Sequence, residues 1–251
     1  MSDEQRFTGD DLQVADNVLT DAGVAPATRR GLLTRAAAGA AALGVAGALS
    51  PMEAFAAGDS IKTVGTTAVT AEALAVTFLS QVADRAAGSA VAEAAPVIKA
   101  ANREEYIHYQ TLRRLGFKPL TTRFWLPDAF FANNLANIPS VIETAETLFV
   151  NAYLIGITTF ARAHKPRLAR YAGEILGVEA EHRALARSLQ GKLPNNVAFE
   201  TFRYSHLSHI VGALEKAGIG FGKRGSGPGA FYSFKAPTAA QASVVQGTRP
   251  R

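Results

Sequence analysis

Two Glu-x-x-His tetrads, Glu105-Tyr106-Ile107-His108 and Glu179-Ala180-Glu181-His182, stand 74 residues apart in a chain of 251 residues. The same offset relates Glu72 to Glu146 and Arg113 to Arg187. Residues at i and i+3 share one face of a helix, so each tetrad can present a carboxylate and an imidazole to one point. Gathered in a protein interior, four carboxylates would repel one another, and each would cost several kcal/mol or take up a proton. Two divalent cations cancel four such charges while both histidines stay neutral. Glu72, Glu105, His108, Glu146, Glu179 and His182 are therefore the candidate metal ligands. They make up the inventory of a dinuclear carboxylate site in a helix bundle.

The chemistry of the donors narrows the metal. The chain has no cysteine, which excludes thiolate zinc sites, iron–sulfur clusters, disulfides and a cysteine nucleophile. Oxygen-rich coordination with one imidazole per metal suits iron, with manganese as the alternative. Rival acids fail the repeat. Glu143, Glu104 and Glu181 correspond by offset to Val69, Val178 and Ile107, so they are expected to face outward or to stand behind the ligands. Glu143 lies one turn from Glu146 and would replace it if the register slipped. His206 and His209 form an H-x-x-H pair, expected to hydrogen-bond at a helix interface. His164 precedes Lys165-Pro166 in a turn and is expected to be solvated.

Helical periodicity supplies the elements that must position the six. The pattern predicts helices over about Thr70–Ala87, Ala94–Leu115, Ser140–Arg162 and Pro166–Leu189, with a fifth over about Asn196–Ala217. Thr70 is the expected N-cap of the first; Gly88, Gly116 and Gly191 are the expected stops. No sustained alternation is visible, so an all-α chain is expected. A long connection, about Phe117–Pro139, carries Phe124, Trp125, Phe130 and Phe131 and joins the second and third helices. Two helical hairpins linked by one crossover is the connectivity of a ferritin-like four-helix bundle.

The residues that carry this pattern, Glu72 in TAEALAVTFL, Glu105 and His108 in NREEYIHYQTLRRLG, Glu146 in AETLFVNAYLIG, and Glu179 and His182 in ILGVEAEHRAL, resemble the ferritin-like superfamily. The likeness is nearest to exported bacterial ferritin-like domain proteins, some of them called desiccation-associated, and it covers about residues 65–190. It implies that Glu72, Glu105 and His108 serve one metal and Glu146, Glu179 and His182 the other, with Glu105 and Glu179 bridging. It also implies redox chemistry with dioxygen or peroxide, or iron(II) oxidation, during envelope stress. The rival is a non-catalytic envelope protein in which metal only stabilises the bundle. No catalytic residue is assigned. The family often has an aromatic seven residues after each lone glutamate; here Tyr153 follows Glu146, but Leu79 follows Glu72. Tyr153 is either a packing residue or a partner of the ligands.

The chain's first 56 residues read as a twin-arginine signal peptide. Arg29-Arg30 precede the apolar run Ala36–Leu49, and Ala54-Phe55-Ala56 supplies a small-x-small cleavage pattern. The run is shorter than the roughly 20 residues that span a bilayer as a helix. Cleavage and retention as an anchor both stay open. An exported protein of the periplasm or cell envelope follows, with the twin-arginine machinery as a partner. Residues 57–217 are assigned to the bundle and 218–251 to a flexible basic tail. After Glu215 the chain has no acidic residue, while Lys216, Lys223, Arg224, Lys235, Arg249 and Arg251 follow. With few aromatics interleaved, the tail is expected to be solvated, with no specific nucleic acid partner. An oligomer is compatible with this reading; a mineral-storing shell is not expected.

Overall fold

A computed structural model describes residues 59–250. The signal-peptide assignment to residues 1–56 lies outside the described residues. The described chain is mostly helical. Helix α1 spans Ile61–Arg85, α2 Ala95–Arg114, α3 Ile138–Arg162, α4 Pro166–Leu189 and α5 Leu207–Lys216. Helix α1 packs on α2 and α3 on α4; α1 also meets α3, and α2 meets α4.

Helix α1 begins nine residues before its expected start. Ser60 is its N-cap, with Oγ accepting from the Thr63 amide at 3.1 Å. The upstream residues Val64, Thr67 and Val69 are buried, so tertiary packing extends the helix past the residue that looks like a cap. Thr70 has another task. Its hydroxyl donates to the Thr66 carbonyl at 2.6 Å and accepts from the Leu120 amide at 3.0 Å, tying the crossover to α1. Phe117 lies where a Cβ on Gly65 would sit, only 2.1 Å from its ring. Helices α2, α3 and α4 each carry proline in the first turn, where its missing amide hydrogen costs nothing. Gly116 and Gly191 follow α2 and α4 with φ of +94° and +70°, the left-handed conformation that ends helices.

The all-α expectation is corrected by a three-stranded antiparallel sheet of order β2-β1-β3. Strand β1, Arg123–Pro127, lies in the crossover; β2 is Gly220–Phe221 and β3 is Gly229–Ser233. Phe124 pairs with Phe221 on one side and Tyr232 on the other, and Trp125 with Gly220 and Phe231. The aromatic crossover residues thus form a strand whose partners come from about a hundred residues downstream, and Phe124 and Leu126 are completely buried or nearly so.

The same strands correct the flexible-tail assignment for residues 218–251. After β3, the Phe234 ring packs at a tilt on Tyr109 with centroids 4.4 Å apart. The Gln241 carbonyl accepts from Asn102 Nδ2 at 2.9 Å, and the Ser243 amide donates to the Lys99 carbonyl at 3.0 Å. The lack of acids is real, but glycines and aromatics decide the segment's conformation. The fifth helix is also shorter than predicted. Residues 196–206 are not helical; they are held by Asn151, whose amide clamps the Tyr204 carbonyl and amide at 2.9 and 2.8 Å. Leu207, Ile210, Val211 and Leu214 then bury the inner face of α5.

The apolar core has two parts. One gathers Leu79, Val82, Phe124, Leu126, Ile138 and Phe149 with neighbours from α2 and α5. The other gathers Val64, Tyr153, Ile155, Phe160, Ile175 and Ile210. Buried polar groups occupy the middle of the helices.

Candidate metal centre

Glu72 stands midway along α1 between Ala71 and Ala73, so small neighbours leave room for a carboxylate to turn inward. Glu146, between Ala145 and Thr147 in the first half of α3, is also buried. Helices α2 and α4 each contribute a Glu-x-x-His face: Glu105 with His108, and Glu179 with His182. All six side chains are brought together in the interior, and Glu72, Glu105 and Glu179 are 0% exposed.

They converge on two points rather than one. Around the first, His108 Nδ1 lies 3.7 Å from Glu72 Oε2, 3.6 Å from Glu105 Oε2 and 3.3 Å from Glu179 Oε1. Around the second, His182 Nδ1 lies 3.0 Å from Glu105 Oε1, 3.7 Å from Glu146 Oε1 and 3.4 Å from Glu179 Oε2. Glu105 and Glu179 therefore give one oxygen to each focus, while Glu72 and Glu146 each belong to one. Within each group of four residues, one donor atom apiece lies within 4.8 Å of all the others.

Donor atoms that nothing in the protein satisfies test whether a cation fits. Glu72 Oε2, both oxygens of Glu105 and of Glu179, Glu146 Oε2, and Nδ1 of His108 and His182 are buried and have no hydrogen-bond partner. Buried polar atoms are almost always paired, and leaving a charged one unpaired costs more than leaving a neutral one. Eight orphaned oxygen and nitrogen donors aimed at two foci make a set that metal ions would complete.

The electrostatics agree. Burial, reinforced by the Glu105 charge, pushes Glu72 up to about 8. Burial also raises Glu146 well above the ordinary carboxylate value, helped by Glu179 and Glu105. Burial works against the charged forms of Glu105 and Glu179 too, but contacts from the two imidazoles, and from Glu72 to Glu105, outweigh it and hold both carboxyls low. Burial opposes the imidazolium forms of His108 and His182, yet the surrounding carboxylates raise both well above the usual value. Without cations the cluster thus holds protons where positive charge is needed.

Two further residues stand behind the six. Glu104 Oε2 lies 2.8 Å from His182 Nε2. A proton shared there leaves the Nδ1 lone pair facing the focus, the way carboxylates commonly orient metal-binding imidazoles. Tyr153 donates its hydroxyl to Glu72 Oε1. Burial, then the charges of Glu72 and Glu179, keep its phenol far above its ordinary value and protonated. Tyr153 is therefore a partner of Glu72 as well as a packing residue.

The sequence left Glu104 with either of two roles, and the contact to His182 decides between them; its place just before Glu105 was the available hint. Glu143 is outward, bound by Arg187 at 2.8 Å, Lys192 at 2.5 Å and Gln190 at 2.8 Å. The repeated arginines take no part in the centre: Arg113 donates to the Phe117 carbonyl. His206 pairs with Asp59 at 2.9 Å rather than joining a metal-like group, and His164 is exposed in its turn.

Compared with protein-family models, with curated proteins and with solved structures, the chain has no match.

Proposed function

We propose that this chain is an exported ferritin-like protein whose six clustered residues hold a pair of iron or manganese ions for iron(II) oxidation or for chemistry with dioxygen or peroxide. The observation that carries the reading is the splitting of Glu105 and Glu179, each with one unpartnered oxygen at each of two foci. A lone stabilising ion would need only one focus. Three carboxylate oxygens and one imidazole per focus favour iron or manganese over metals that prefer thiolate.

When bound, such a metal pair supplies electron exchange with small oxidants. The chain's own residues do the rest. Glu105 and Glu179 set the spacing of the foci, with His108 at one and His182 at the other. Glu104 fixes the His182 ring. Tyr153 holds a proton at Glu72 Oε1, next to the first focus. The cavities beside Tyr153 have volumes of about 30 and 20 Å³ and the one beside Glu146 about 40 Å³, all with apolar walls. They have room for about one to four water-sized molecules at roughly 10–15 Å³ apiece, which suits dioxygen or peroxide and is too small for an organic substrate. The twin-arginine pattern supports export to the periplasm or envelope, a route that carries folded cargo.

Elemental analysis of protein purified from its native compartment is expected to find about two iron or manganese ions per chain. Mixing the loaded protein with oxygen or hydrogen peroxide then tests turnover. The near-complete burial of the ligands favours a second reading, in which metal only holds the four helices together. A loaded protein that melts higher yet leaves peroxide and iron(II) unchanged would decide for that reading. No bound metal would defeat both.

Glu104→Leu tests the carboxylate behind His182. It is expected to weaken divalent-metal affinity about 10- to 100-fold, with the helical circular dichroism preserved. Unchanged affinity would mean that Glu104 does not orient the ring.

A further inference from the structure

The cavities that touch the cluster are unlike. Those at Tyr153 and Glu146 are small and apolar, whereas the one between α2 and α4, against the outer side of His108, measures about 270 Å³. Its floor includes Glu104, Glu174 and Glu181 as well as His108, and its roof is the C-terminal segment from Val245 to Pro250. A divalent cation gives up its water reluctantly and travels with a shell of several molecules. At roughly 10–15 Å³ per water on the same measure, a shell of several waters exceeds the apolar cavities of 20–40 Å³ but fits this one.

The placement of the acids is independent of the ligand repeat. Positions 104 and 178, and positions 107 and 181, are each 74 apart, and all four line this cavity. Each pair has one glutamate and one aliphatic residue: Glu104 against Val178, and Glu181 against Ile107. The repeat that supplies the ligands therefore does not account for either acid. A second feature points to a ligand. The His108 side chain is only 10% exposed, belongs to the first focus through its unpartnered Nδ1, and also lines this cavity. Among the described residues none is hydrogen-bonded to its Nε2, in contrast to His182, whose Nε2 meets Glu104. The ring thus borders both the cavity and the focus.

The roof is tethered at one end. Gln241 bonds Asn102 and Asp84, and the Ser243 amide donates to the Lys99 carbonyl. Beyond Ser243 no hydrogen bond ties the described segment to the helices, and Val244 is 98% exposed. Of the three carboxylates, Glu104 contacts His182 and Glu174 pairs with Arg170 at 3.3 Å, so Glu181 is the one left without a partner among the described residues. The roof adds Arg249 to the lining, where its charge opposes a cation.

We propose that this cavity is the site where hydrated divalent cations are collected by Glu104, Glu174 and Glu181 and passed to the cluster beside His108, with the segment after Ser243 as its movable cover. The proposal rests on the reading of the six residues as metal ligands.

Manganese(II) uptake by metal-free protein, followed by stopped-flow mixing, and chelator-driven loss from the loaded protein test it. Truncation after Ser243 is expected to speed both uptake and loss about tenfold or more, with capacity unchanged at about two per chain. Glu181 is exposed and has no ion-pair or hydrogen-bond partner among the described residues, so Glu181→Lys is expected to leave the fold intact. It should slow uptake about threefold to tenfold, a difference that shrinks as salt rises. If the truncated chain fails to fold, Glu181→Lys alone decides. Full capacity reached at the wild-type rate by the variants would overturn this access route and leave the metal reading standing. If the intact protein takes up no manganese or iron(II), both fall together.

Discussion

Replacing Glu105 and Glu179 together by glutamine is expected to reduce bound metal from about two ions per chain to none. The geometry makes a sharper statement about single substitutions. Glu72 serves only the His108 focus and Glu146 only the His182 focus, whereas each of Glu105 and Glu179 supplies an oxygen to both. Glu72→Gln or Glu146→Gln should therefore weaken one site and leave the other, giving biphasic metal titrations with about one ion held tightly. Glu105→Gln or Glu179→Gln should weaken both sites at once. Glutamine keeps the volume of the side chain, so packing against its neighbours survives, and a preserved cooperative melt is the control. Elemental analysis after dialysis, with calorimetric titration, reads the outcome. Retention of two tightly bound ions by the double variant would show that the convergence of these carboxylates has another cause.

How far the sequence reveals this site depends on the range of the interaction concerned. The six candidate ligands are legible because each Glu-x-x-His is local, set by helical periodicity, and because the offset of 74 pairs them across the chain. Glu104 is only half legible. Its contact with His182 spans 78 residues and depends on how α2 meets α4, which no local pattern encodes. The strands are missed for a related reason. Phe124, Trp125 and Leu126 give no alternation long enough to read, and their partners at Phe221 and Gly229–Ser233 lie in a segment whose basic charge suggests solvation. Charge composition describes what a tail avoids, not what its aromatics find. Thr70 misleads in the opposite direction: a β-branched hydroxyl residue before an apolar run looks like a cap, but the hydroxyl bonds back to the preceding turn, as threonine inside helices often does.

Metal uptake should release protons, and its stabilising effect should grow steeply with pH. In the metal-free protein Glu72 is pushed up to about 8, and Glu146, His108 and His182 are raised well above their ordinary values. A group whose folded value is raised contributes stability below its unfolded value and loses it as pH climbs through the folded one. For these four groups the loss begins above about 4.5 for the carboxyls and about 6.5 for the imidazoles. Glu105, Glu179 and Glu104 are lowered, so their contribution is present above about 4.5 and fades only in acid. The metal-free protein is therefore expected to be most stable on the acid side of neutral and to weaken toward about pH 8. Divalent cations bind the deprotonated forms, so near neutral pH they displace about four protons, one from each raised group. Each displaced proton adds about 1.4 kcal/mol of metal-dependent stabilisation per pH unit. The gap in melting temperature between manganese-loaded and chelator-treated protein should therefore widen from about pH 5.5 to about pH 7.5. Its slope should fall by about one proton's share as pH passes the value of about 8 at which Glu72 has already lost its proton. Calorimetry in buffers of different ionisation enthalpy counts the protons directly. A metal-dependent gap that stays constant across this range, with no proton release, would mean that the cation sits somewhere other than between these carboxylates.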